Sequence, residues 1–158
     1  MTADEIQLLA TRRAGFDDFH KAVLPTLVEF VGLVGVDAPQ TVIRAADRVV
    51  PQLDRALRNL ATQGEQERLW LTLRVGQFIG EYFVQKYAGC WFVNDIAGAR
   101  FFARYVVGQF SGLSTSVPLI DPFEVAAGFV DAPAPRSLSL LLNDLNVELV
   151  QMSKRQLN

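Results

Sequence analysis

The sequence predicts an α+β fold, mostly α, made of a helical N-terminal half, a long central helix, a β-hairpin, a short helix and a C-terminal helix. Three observations carry that prediction. Apolar residues recur at helical spacing through most of 1–88 and 121–155. Residues 90–110 instead concentrate aromatic and β-branched side chains around an Asp95-Ile96-Ala97-Gly98-Ala99 connection, the pattern of paired antiparallel strands. A chain of 158 residues that is 50% apolar suits one domain, 1–158, with a sizeable core.

Each element has a local reason. Thr2 and Glu5 have capping-box spacing, in which hydroxyl and carboxylate each meet an orphan amide, so a first helix begins at about Ala3. It runs to Val34, with Gly15 a weak point and Pro25 a kink, because proline lacks the amide donor and crowds the preceding turn. Gly35 to Pro39 forms a break. Asp37 and Pro39 start a second helix over about 39–61, bent near Pro51 and ended by Gly64. The third helix extends from Glu65 to Ala88 and closes on Gly89, which suits a left-handed cap. Strands follow over 90–94 and 101–110. The Ser/Thr/Pro run from Ser111 to Pro118 leads to a short helix over 122–130 started by Asp121. Ala132 to Pro135 is a stiff connector, and Ser137 caps a last helix through Lys154.

Composition narrows the function classes. The formal net charge of -2 offers no general attraction for a polyanion, so nucleic acid is not an expected partner. Cys90 is the sole cysteine, so no intrachain disulfide forms, and the chain suits a reducing, cytoplasmic setting. The acidic Met1–Glu5 start does not read as a secretory leader. Pro25 and Glu29 interrupt the most apolar stretch, Ala22 to Val36, which falls short of the ~20 residues of a membrane span. No membrane association is expected.

Two helices carry candidate sites. On the second, Val42, Val49, Leu53, Leu57 and Leu60 share one face, and Arg44, Arg48, Arg55 and Arg58 the opposite one. The arginines are a candidate surface for an anionic partner, since guanidinium forks suit carboxylate or phosphate; Asp47 and Asp54 flank them, as on a solvated face. The third helix is apolar around most of its circumference, save a narrow stripe of Arg74, Gln77, Glu81 and Gln85. That stripe is either the helix's exposed edge or, if enclosed, a buried Arg74–Glu81 network with a protonatable Glu81. Gly76 and Gly80 admit a close backbone. His20 beside Asp17 and Asp18 is not expected to bind metal, because helical neighbours point apart. Cys90, at the start of an apolar strand, reads as a buried, inert thiol. Phosphate-loop, nucleophile-elbow and zinc signatures are absent, and no cofactor is expected.

Gly80-Glu81, Tyr87-Ala88-Gly89-Cys90-Trp91, the hairpin, Asp121-Pro122-Phe123-Glu124-Val125-Ala126 and Ser137-Leu138 follow one another in order. In these, about half of the chain from Gly76 onward resembles several families of small uncharacterised bacterial helix–hairpin–helix domains. They share a Gly-Glu helix that runs through Gly-x-Trp into a hairpin. Some serve as immunity or accessory proteins beside bacterial toxins, so the resemblance implies a binding role. The favoured reading is a non-enzymatic protein that acts through a protein partner, of inhibitor or immunity type. The alternative is a small-molecule-binding protein or an enzyme, with a pocket lined by Arg74, Gln77, Glu81, Trp91 and Tyr105.

Two surfaces are expected to be open. Both faces of the strand over 101–110 are largely apolar, so one is expected to serve as an interface. On the last helix Leu138, Leu141, Leu142, Leu145, Leu149 and Met152 form the core stripe, while Leu140 and Val147 lie nearly opposite. That second patch is covered within the chain or pairs in a homodimer.

Overall fold

The computed structural model describes residues 1–115 and 118–155; residues 116–117, within the Ser/Thr/Pro run, and 156–158 lie outside the described residues. Its first helix, α1, spans Ala3–Leu33 and opens on the expected capping box between Thr2 and Glu5. Pro25 sits inside α1 without ending it. Gly15 is a point of contact rather than weakness. The Tyr105 hydroxyl donates to the Arg12 carbonyl at 2.8 Å, and a Cβ on Gly15 would stand 2.9 Å from that hydroxyl.

The expected second helix is two elements. A 3-10 turn covers Pro39–Ile43, and α2 covers Ala46–Leu57. Ala45 interrupts them at φ -143°, ψ 62°, and carries no side-chain cap. Gln85 supplies that cap from the next helix: its Oε1 accepts from the Ala46 amide at 2.9 Å, and its Nε2 donates to the Val42 carbonyl at 2.9 Å. Val42, Val49, Leu53 and Leu57 are buried as expected, whereas Leu60 lies past the helix end and is exposed. Gly64 does not end α2; at φ 83° it opens α3, Gly64–Tyr87. The left-handed cap of α3 is Ala88 at φ 51°, not Gly89. Gly89 is needed for proximity instead, since a Cβ there would meet the Phe110 ring and stand 2.8 Å from the Gly108 carbonyl oxygen.

Strands β1, Cys90–Val93, and β2, Tyr105–Gly108, pair antiparallel, with Trp91 opposite Val107 and Phe92 opposite Val106. β2 is shorter than composition suggests because left-handed residues bracket it, Ala103 at φ 57° and Gln109 at φ 53°. Ile120 bridges Val107 on the outer edge, and α1 and α3 both pack on the hairpin. Val106 and Val107, which point to opposite faces, are both fully buried. The middle of the strand is therefore covered on both faces within one subunit, and only Tyr105, at its start, stays part-exposed.

Asp121 caps α4, Pro122–Asp131, by accepting from the Phe123 and Glu124 amides at 3.0 and 3.2 Å. Ser137 caps α5, Leu138–Arg155, through the Leu140 amide. Leu138, Leu142 and Leu149 enter the core, while Leu140 and Val147 stay exposed. The core collects Leu27, Phe30 and Val31 of α1 with Leu53 and Leu57 of α2 and Phe78, Ile79 and Phe83 of α3. Among the described residues no helix is long and apolar enough to cross a membrane.

Candidate functional site

Val75 through Glu81 of α3 are buried without interruption, which makes this the central helix and sets the chemistry of its two glycines. Gly76 and Gly80, expected to admit a backbone, admit aromatic rings. A Cβ on Gly76 would overlap Phe123 of α4, and one on Gly80 would overlap the Trp91 indole of β1. Phe19 of α1 completes the cluster, with ring centroids 5.2 Å from Trp91, 4.5 Å from Tyr105 and 6.0 Å from Phe123. These rings form a wall. A separate hollow lies on each side of it.

The first hollow has a volume of about 420 Å³ and contains Glu81, Trp91, His20, Lys21 and Cys90. Glu81 is only 9% exposed, and the Trp91 indole N–H donates to its Oε2 at 3.3 Å. Burial pushes its carboxyl above the ordinary value, more than the Trp91 and Gln85 hydrogen bonds and the His20 charge pull it down. Glu81 is thus held toward its neutral, proton-carrying form. Cys90 is exposed rather than buried, because it heads the edge strand at the mouth of this hollow. Its thiol donates to Gln109 Oε1 at 3.3 Å, and partial burial raises its pKa, which keeps it protonated and a poor nucleophile. His20 lines the same hollow and stacks on Phe16. Among the described residues no three His, Cys, Asp or Glu side chains group as a cation site requires.

The second hollow, about 390 Å³, is an open groove floored by Phe19, Leu73, Tyr105 and Phe123, with Arg12 and Arg104 on its rim. Arg104 is neutralised by Asp121 at 2.7 Å. Arg12 lies over the Tyr105 ring and makes no ion pair among the described residues.

The residues singled out by sequence divide accordingly. Glu81 and Trp91 meet in the first hollow; Tyr105 lies across the aromatic wall in the second. Gln77 and Glu81 are buried, so the polar stripe is not an exposed edge, and Gln77 Oε1 has no partner among the described residues. The Arg74–Glu81 network is absent. The two residues are two helical turns apart, roughly 10 Å along the axis. The Arg74 guanidinium instead lies over the Trp70 ring at 5.7 Å. Arg44, Arg48, Arg55 and Arg58 are exposed but do not converge: Arg44 precedes α2, and Arg58, beyond its end, is held by Asp54 at 2.9 Å.

Asp54, read from sequence as a flanking charge, is buried and also accepts from the Ser139 amide at 3.2 Å, fixing the start of α5. Phe19, His20 and Lys21 were not connected to Glu81 by any sequence signal. The recurrence of aromatic residues at 16 and 19 on one helical face is the only hint that α1 contacts the hairpin. No protein-family model, curated protein or solved structure matches the chain.

Proposed function

We propose that the chain acts through protein–protein interaction, in the manner of an inhibitor or immunity-type protein, and that the groove beside Tyr105 receives the partner. One observation carries this reading: an aromatic and aliphatic floor left open to solvent beside an uncompensated arginine. Leu73 is 50% exposed, and Leu69, one turn earlier on the same face of α3, is also 50% exposed. Exposed apolar residues joined to a concave aromatic floor are characteristic of a docking surface. Arg12 sets the charge of the occupant. The fitting partner segment presents an apolar side chain to the floor and a carboxylate beside it.

A photoreactive benzoylphenylalanine placed at Leu73, with the exposed Leu33 as control site, tests this in cells of the source organism. The expected result is one crosslinked protein from position 73 and none from position 33. The same partner, purified, should lose about tenfold in affinity for Arg12→Glu. Crosslinking that is equal at both sites, absent at 73, or indifferent to Arg12→Glu would overturn the reading.

A second reading concerns self-association. Leu140 and Val147, 64% and 56% exposed, are seven residues apart on one face of α5. Two-fold pairing would cover the same patch on each subunit. Light scattering at micromolar concentration should give a dimer mass that falls to the monomer in Leu140→Asp with Val147→Asp. A wild-type monomer would reject it.

A further inference from the structure

The partner groove leaves the hollow around Glu81 without a role, and its chemistry differs from that of the groove. It holds a buried carboxyl, and the exposed His20 and Lys21 of α1 stand at its mouth, Lys21 bringing a positive charge. Leu24, Val84 and the Trp91 indole supply apolar wall. The volume of about 420 Å³ is in the range of small-molecule sites.

We propose that this hollow binds a small organic monocarboxylate, with the ligand's carboxylate between Glu81 and Lys21 and its apolar body against Leu24, Val84 and Trp91. Glu81 is the one acid that lines this hollow. The Trp91 indole reaches Glu81 at 3.3 Å, longer than a strong charge-assisted bond, and burial outweighs the hydrogen bonds and favours its neutral form. A neutral carboxyl has an O–H to donate, and a ligand carboxylate is the acceptor that gains most from it. Lys21 then supplies the opposite charge. An ammonium ligand would need the ionised form of Glu81 and would also face Lys21 and His20. A bare inorganic anion would leave the apolar wall uncovered. The geometry therefore selects an amphipathic anion.

Titration calorimetry with hexanoate and phenylacetate, against hexylamine and hexanol, tests the assignment. The carboxylates are expected to bind, and the amine and alcohol to bind at least about tenfold more weakly. Glu81→Gln retains a donor at the same place and keeps binding, whereas Glu81→Ala and Lys21→Met each lose about fivefold or more. Affinity for the wild type should rise as pH falls and Glu81 takes up its proton. Because His20, Lys21 and Cys90 also face the hollow, the profile is repeated in His20→Gln. The dependence should persist there and vanish in Glu81→Gln. No binding of either carboxylate up to about 10 mM, equal binding of hexylamine, or a pH dependence lost with His20 would overturn the proposal. Crosslinking from Leu73 is a separate readout, so failure here leaves the partner groove to its own test.

Discussion

Replacing Gly80 and Gly128 by alanine should move stability in opposite directions, although both lie inside helices. In an exposed helix interior, Gly→Ala stabilises by about 0.8 kcal/mol, because alanine loses less backbone freedom on folding. Gly128 meets that condition: it is exposed within α4, and a Cβ added there touches nothing within 4 Å. Gly80 does not. Its Cβ would overlap the Trp91 indole, which is 5% exposed and backed by Phe19 at 5.2 Å and Phe123 at 5.8 Å, so the ring must leave its place in the aromatic cluster. Overpacking of that kind costs about 3 kcal/mol, which leaves a net loss of about 2 kcal/mol after the helical gain. With a urea m-value of about 2 kcal/mol per molar, the midpoint should fall by about 1 M for Gly80→Ala and rise by about 0.4 M for Gly128→Ala. Trp91 fluorescence should shift in the first variant alone. A neutral or stabilised Gly80→Ala would refute the account of α3 as a helix selected for ring contact.

Two carboxyl groups should give stability profiles of opposite slope. Burial alone would raise the Asp54 pKa, but its bonds to Arg58 and to the Ser139 and Leu138 amides more than offset that and hold it below 3.8. Its contribution is present above the ordinary carboxylate range and disappears as pH falls through the folded value, so Asp54→Ala should cost about 2 kcal/mol at pH 7 and progressively less below about pH 4. A deficit that stays constant down to about pH 2.5 would contradict the ionic cap. For Glu81, whose folded value lies above 4.5, the wild type should lose stability as pH rises past that point. Glu81→Gln should match the wild type near pH 4 and exceed it at pH 7, as read from urea midpoints; a less stable variant at pH 7 would contradict burial as the cause.

What the sequence made legible was mainly local. The Thr2–Glu5 box, the Asp121 and Ser137 caps and the period change after Tyr87 depend on neighbours a few residues apart, and each is found in place. The errors arose where distant residues decide the backbone. Gln85 caps α2 across 39 residues, and without it the break at Ala45 cannot be distinguished from a continuous amphipathic helix. Helix grammar alone makes Gly15 a weak point and Gly64 and Gly89 helix ends, yet Gly15 and Gly89 make room for Tyr105 and Phe110, and Gly64 opens a helix instead of closing one. The same limit applied to the candidate site. The local patterns of α3 and the strand point to Glu81 and Trp91, while Phe19, His20 and Lys21, which stand beside them, come from α1.

The buried polar groups sort themselves by what they hold. Asp54 and Asp121 receive backbone amides at helix starts and each pairs with an arginine. Thr72 donates to the Arg68 carbonyl, and Ser153 accepts from the Thr115 amide at 2.7 Å. Their burial is explained by the backbone they satisfy. Gln77 and Glu81 differ. They lie one turn apart on the most enclosed part of α3, Gln77 Oε1 has no partner among the described residues, and Glu81 has a long bond to an indole. A fold seeking only stability would place apolar side chains at both positions, since under-used polar groups are costly in low dielectric. Glu81 also lines a hollow, which makes it a better place for a ligand than the arginine face that the sequence displays more conspicuously.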